Sequence, residues 1–400
     1  MKRLSRHFCL LAALAVCSTP LVSWAQEVTV VVSKKNDESS EVTRSKKKPF
    51  KGKRPSVDVA ILLDTSNSMD GLISQAKTQL WNIVLQFADA KKNGKTPMLR
   101  VAVFEYGNSG LPASEDYIRQ VVQLTDDMDK VSEALFALRT NGGDEYCGAV
   151  INEALKRLDW SSEPNGYKAI FIAGNEPFTQ GSVSYQESCN KAIQKGIVVN
   201  TIHCGDYATG VAGKWKHGAE IAEGEFMNIN QDRKIVQIKT PQDDIIIRLN
   251  AELNRTYLWY GAVSKRKAYA ANQIAQDNNA LSAGSSISRI GTKAGKAYGN
   301  RGRDLVDSMT DDASILDNLD VTLLPEAMQK MTLRERKAHV KKLATKRAEI
   351  QKKIVEATKQ RDAFIAEKQK AMPAAAADTF GEVVEEAVEE QLDAFGFDVE

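Results

Sequence analysis

Asp64, Ser66 and Ser68 stand at alternate positions in "VDVAILLDTSNSMDGLISQAK", directly after an apolar run. A carboxylate and two hydroxyls crowded at the tip of a buried strand repel one another or stay unsatisfied unless something binds them. A hard cation suits this chemistry, because it prefers oxygen donors and keeps part of its water shell. In the metal-free alternative, Ser66 and Ser68 only cap the helix that follows.

Such a cluster needs strands that carry it to one edge. From Val57 onward, short apolar runs alternate with helical stretches. The strand candidates are "VDVAILLD", "LRVAVFEYG", "YIRQVVQL", "YKAIFIAGN", "GIVVNTIHCG" and "GEFMNIN". Helices are expected over Gly71 to Ala90, Met128 to Leu138, Gly148 to Leu158, Ser184 to Lys195, Val211 to Ala222 and Asp243 to Tyr257. Nearly continuous apolar strands separated by helices predict a doubly wound α/β domain over residues 56–261, with a mostly parallel six-stranded sheet. The run holding Arg119 and Gln120 is less apolar and suits an antiparallel edge. Ligands of such sheets sit beyond the carboxyl ends of the central strands, where Asp64, Asp144, Asn175 and Asp206 all fall.

The rest of the 400 residues divides by composition. Residues 1–25 have a basic start, an apolar stretch and Ser-Trp-Ala before Gln26, the pattern of a cleavable signal peptide. This implies a periplasmic or secreted protein. Residues 26–55 are Lys-rich and without period, which reads as a flexible linker. No other run approaches the apolar length of a membrane span. With 54 basic and 52 acidic residues, the balance argues against a nucleic-acid partner.

Residues 262–331 are small and polar, and are expected to form an irregular, partly helical connector. Residues 332–400 hold a long basic helix that opens on a Thr332/Glu335 capping box and stops at Pro373. Its seam runs through Val340, Leu343, Ile350, Ile354, Ala357 and Phe364, with Arg347 and Arg361 at the missing positions. An acidic amphipathic helix follows, with Phe380, Val384, Val388, Leu392 and Phe395 on one side. Either a helical hairpin or a dimeric coiled coil satisfies this pairing of opposite charges, so self-association through these helices is one expectation.

"DTSNS" in this setting resembles the metal-ion-dependent adhesion site of von Willebrand factor type A (VWA) domains, and the strand and helix order of residues 57–260 is similar too. The resemblance implies Mg²⁺ or Mn²⁺ held by serines and a threonine, with aspartates acting through water and one position left for a partner's carboxylate. Two places depart from the pattern. Asp144 stands where the family has threonine, and Ala173, Gly174 and Asn175 replace a Thr-Asp-Gly turn. The implied site is therefore remodelled, with Asp64, Ser66, Ser68 and Asp144 as ligands and Asn175 or Glu176 behind them. The phrases "GDEYCG", "VNTIHCG" and "ELNRTYLWYG" extend the likeness to secreted bacterial proteins with a helical C-terminal region.

Without residues 1–25, Cys147, Cys189 and Cys204 remain, an odd number in an oxidising compartment. On the implied fold Cys189 and Cys204 both reach the upper rim and form the disulfide candidate; Cys147 paired with Cys204, or three buried thiols, are the alternatives. A Ser66/His203 triad lacks a nucleophile elbow, and "GNRGRD" lacks the lysine of a phosphate loop. No enzyme is expected. The implied function is an exported binding protein for a protein or other acidic ligand. A metal-free envelope scaffold, or an accessory subunit of a larger complex, is the other reading.

Overall fold

Nine consecutive residues of β1 (Ser56–Asp64) are buried, as a strand covered on both faces requires. Val57, Val59, Ile61 and Leu63 enter one core and Ala60 and Leu62 the other, the alternation of a pleated strand. The computed structural model describes residues 54–163, 166–229, 238–282, 285–295, 298–370 and 379–399, which fall in one compact unit, Pro49–Glu400. The expected signal peptide and all of the expected linker up to residue 53 lie outside the described residues.

After β1 come α1 (Ile73–Asp89), the two-residue β2 (Ala90–Lys91), β3 (Met98–Tyr106), β4 (Arg119–Thr125) and α2 (Met128–Ala137). Next are α3 (Cys147–Arg157), β5 (Tyr167–Gly174), α4 (Tyr185–Gln194) and β6 (Val198–Cys204). Helices α5 (Tyr207–Ala212) and α6 (Trp215–Ile221), strand β7 (Phe226–Ile229) and helix α7 (Pro241–Asn254) complete the α/β part. The six-stranded sheet has the order β4-β3-β1-β5-β6-β7. All neighbours are parallel except β4, which runs antiparallel to β3. The single helix expected over Val211 to Ala222 is broken in two. Lys214 takes a left-handed φ of 70°, which turns the fully buried Trp215 inward so that its Nε1 donates to the Glu176 carbonyl at 2.8 Å.

Beyond α7 the connector, expected to be irregular and partly helical, holds α8 (Val263–Ser282), α9 (Ser286–Ala294), α10 (Leu305–Asp311), α11 (Ile315–Asn318) and α12 (Glu326–Gln329). Leu305, Val306, Leu316, Leu324 and Met328 of this region form an apolar cluster with Val340 of the next helix, whereas α8 and α9 also bury charges. Arg289 bonds Asp129 of α2 at 2.8 Å and Asp277 at 2.7 Å, while Lys293 reaches Asp277, Asn250 and Asn254. Arg289 and Lys293 are 2% and 0% exposed. Burial of this kind is stable only because each charge meets an opposite one.

The long helix α13 (Leu333–Lys370) begins on the expected capping box, with Thr332 N donating to Glu335 and Glu335 N to the Thr332 hydroxyl. It is followed by α14 (Thr379–Ala394) and a two-residue β8 (Asp398–Val399), which pairs with β2. The expected hairpin of these two helices is corrected. Helix α13 packs on α7, α9, α10 and α11, whereas α14 packs on α1 and β7. Ile350, Ile354 and Ala357 of α13 and Val388 and Leu392 of α14 join the core of β1, so the seam a dimeric coiled coil would use is already filled. The side chains of Phe380 and Val384 lie outside those described.

Candidate metal centre

Asp64 ends β1 in register with Tyr106, which ends β3, and Gly174 ends β5 on the other side. The three strand ends form one rim, the position that the order of a doubly wound sheet assigns to ligands. Asp64 is fully buried. Its Oδ1 accepts from Ser66 N at 2.8 Å, and its Oδ2 has no hydrogen-bond partner. Burial pushes its carboxyl up to about 6, with the Glu176 charge adding to the shift.

Ser66 Oγ lies 2.8 Å from Ser68 Oγ, and Ser68 donates to Asn175 Oδ1 at 2.9 Å. Asn175 Nδ2 returns a bond to the Ser68 carbonyl at 3.1 Å. Asp64, Ser66, Ser68 and Asn175 thus stand together. Asp144 does not face them: it is exposed, and Oδ2 accepts from the Tyr146 hydroxyl at 3.3 Å. The next residue, Glu145, occupies the inward place.

Glu145 is 7% exposed. Burial first, and the Asp64 charge second, push its carboxyl up to about 7. Gly107, at φ 76°, passes between the two carboxylates; a Cβ there would stand 2.9 Å from both Asp64 Oδ1 and Glu145 Cγ. Only glycine combines that backbone with that space. The loop is tied down by Asn141 N, which donates to the Thr65 carbonyl at 2.9 Å, and by Thr140 Oγ1, which bonds the Asp70 carboxylate. Sequence reasoning missed Glu145; the "GGDE" run holds two adjacent carboxylates and no period says which turns inward.

At the position of the lost aspartate, a Cβ on Gly174 would stand 2.5 Å from the Tyr106 hydroxyl and 3.1 Å from Asp64 Oδ2. Tyr106 donates to the Ala173 carbonyl at 3.1 Å. His203 is not joined to Ser66. Its Nε2 lies 3.3 Å from the Asn175 carbonyl and its Nδ1 3.2 Å from Asn228 Nδ2, and burial lowers its pKa.

The donors fit a hard divalent ion. Two carboxylates, one oxygen of which is buried without a partner, meet two hydroxyls and no sulfur or imidazole donor, the set that suits Mg²⁺ or Mn²⁺. Among the described residues, no group of three or more His, Cys, Asp or Glu side chains is placed to hold a metal; a site here depends on the serines.

The disulfide candidate is corrected. Cys147, Cys189 and Cys204 are all free and buried. Cys204 faces the core that holds Ile202 and Leu63, and Cys189 and Cys147 the core on the opposite side of the sheet. The sheet itself separates Cys204 from both alternatives, because a strand residue reaches one face only.

A doubly wound sheet whose first strand delivers Asp-x-Ser-x-Ser to its carboxyl rim defines a class of α/β binding domains. Residues 58–221 match the model of the von Willebrand factor type A domain, and this part of the chain has the corresponding six-stranded fold. Solved structures similar to it include BatB, a conserved hypothetical protein from Bacteroides thetaiotaomicron, 16% identical over 44% of this chain and 91% of its own, with a TM-score of 0.34. The VWA domain of SpRpn10 is 15% identical over 44% of this chain and 89% of its own, with a TM-score of 0.35. Proximal thread matrix protein 1 from the mussel byssus, with a zinc-occupied MIDAS motif, is 15% identical over 45% of this chain and 43% of its own, with a TM-score of 0.33. No curated protein matches the chain. Among the described residues no helix is long and apolar enough to cross a membrane.

Proposed function

We propose that the chain is an exported binding protein whose VWA domain holds Mg²⁺ or Mn²⁺ at the rim and takes a protein ligand through a carboxylate of that ligand. The observation that carries this reading is Asp64 Oδ2, a buried carboxylate oxygen without a partner beside two serine hydroxyls. Asp64, Ser66, Ser68 and Glu145 would hold the ion. A hard cation with few protein charges around it keeps its attraction for one more carboxylate. Asn175 positions the serines: it accepts the Ser68 proton, which leaves hydroxyl lone pairs to face the carboxylates. The ion would also offset the burial that raises both carboxyls and the Asp64 charge that raises Glu145 further. The role is binding, with no catalytic group required. Export rests on the pattern of residues 1–25.

A second reading, a metal-free scaffold or docking subunit, draws support from the Ser66–Ser68–Asn175 chain, which satisfies both hydroxyls without an ion. Calorimetric titration of Mg²⁺ and Mn²⁺ into chelator-stripped protein separates the two. Saturable binding is expected in the wild type and in Asp144→Ala, weaker binding in Glu145→Gln, and none in Asp64→Ala. A wild type that takes up neither ion at millimolar concentration sinks the metal-dependent reading.

A further inference from the structure

Lys77 is a buried cation that the metal reading leaves unused. It lies on α1, 5% exposed, and its ammonium makes one hydrogen bond, to the Leu138 carbonyl at 2.5 Å. An ammonium carries three donors, and a buried one with a single neutral acceptor is short of partners. It lines a cavity of about 380 Å³ between α1, the end of α2 and α8, together with Ile73, Phe136, Leu138, Arg139 and Asn279. That volume lies in the range of small-molecule sites, roughly 300–1,000 Å³.

The lining is one-sided in charge. Lys77 and Arg139 are cationic, Ser74, Thr140 and Asn279 are neutral, and no carboxylate is among the lining residues; Glu105, the carboxylate whose charge reaches Lys77, is paired with Arg119. Arg139 spends Nη1 on the carbonyls of Phe136, Ala137 and Leu138, at 3.0, 3.3 and 2.8 Å. The remainder of its guanidinium is open. Ile73, Phe136 and Leu138 supply the apolar wall, and Phe136 is backed edge-to-face by Trp81 at 6.5 Å. Trp81 stands one turn beyond Lys77, and its indole N–H has no partner.

We propose that this notch is a second binding site, for a small anion with an apolar body such as a medium-chain carboxylate, its head on Lys77 and Arg139 and its tail against Ile73 and Phe136. Burial lowers the Lys77 pKa to about 8, the mark of an ammonium that an anion would stabilise. The wall of the notch is also the root of the loop that carries Glu145, because Leu138 and Arg139 lead directly into residues 140–145.

The test is independent of the metal site. Octanoate is titrated into the full chain in excess chelator and followed by calorimetry and by ¹H–¹⁵N spectra, beside Lys77→Met and Arg139→Gln. Saturable binding with shifts confined to α1, α2, α8 and residues 138–140 is expected. Lys77→Met should weaken it roughly tenfold or more, the size of one charge-assisted hydrogen bond. Arg139 is exposed, so its variant keeps the fold and should weaken binding severalfold. Inorganic phosphate, which has charge but no tail, should bind at least about tenfold more weakly. Absence of saturable octanoate binding, equal affinity in both variants, or phosphate binding as tight as octanoate overturns the proposal.

Discussion

Glu145 and Asp64 are held where their charges cost the most, and that gives the pair a measurable signature. Each carboxyl titrates above its ordinary range because the folded state favours the protonated form. The sign follows from linkage: a group raised on folding leaves stability intact below its unfolded value and removes it as pH rises through the folded one. For Glu145 that window runs from the ordinary 4.5 to about 7. In excess chelator, Glu145→Gln should melt with the wild type near pH 4.5 and progressively above it toward pH 7.5, as read by thermal denaturation; added Mg²⁺ should shift the balance back toward the wild type. A constant difference across that range would contradict the burial of this carboxyl. Asp64, Ser66 and Ser68 were legible in the sequence because an apolar strand fixes where its last residue points. The choice between Asp144 and Glu145 was not, since adjacent residues of an irregular loop obey no period.

Helices α8 and α9 bury charges as well as apolar residues, with Arg289 paired to Asp129 of the α/β part, and that mixture hid them from a search for apolar periodicity. Gln273, Gln276, Arg289 and Lys293 are buried, and a pattern search for apolar residues sees no face there. Arg347 fills a gap in the α13 seam by reaching Asp304 at 2.8 Å, Asp307 at 2.6 Å and the Thr256 carbonyl at 2.8 Å, with its guanidinium over the Tyr257 ring at 4.2 Å. Such a position reads as a break in the heptad, although the residue is buried and bonded to two carboxylates. Arg347→Ala would leave Asp304 and Asp307 without their counter-charge, and a loss of about 3–5 kcal/mol in urea unfolding is expected. A loss under about 1 kcal/mol would place this arginine among ordinary surface pairs.

Across the whole molecule, the sheet is a partition as well as a scaffold. The six strands, the antiparallel edge and the rim were readable from apolar runs, but the strand order and the faces of Cys189 and Cys204 required the structure. Burial pushes all three thiols up, so the folded chain should resist thiol reagents and melt at the same temperature with and without reductant. The denatured chain without residues 1–25 should then titrate three thiols; one thiol would mean a bridge had formed. The same core that holds Val57 holds Phe397, and α14 is joined to the sheet by the Asn200 and Gln391 amides, which exchange bonds of 3.1 and 2.7 Å. A ribosome that has delivered β1 must therefore still synthesise more than three hundred further residues before that side of the sheet is covered. Closure at such separation is entropically slow, so the part of α1 that α14 covers is shielded only after the rest of the α/β core has been made.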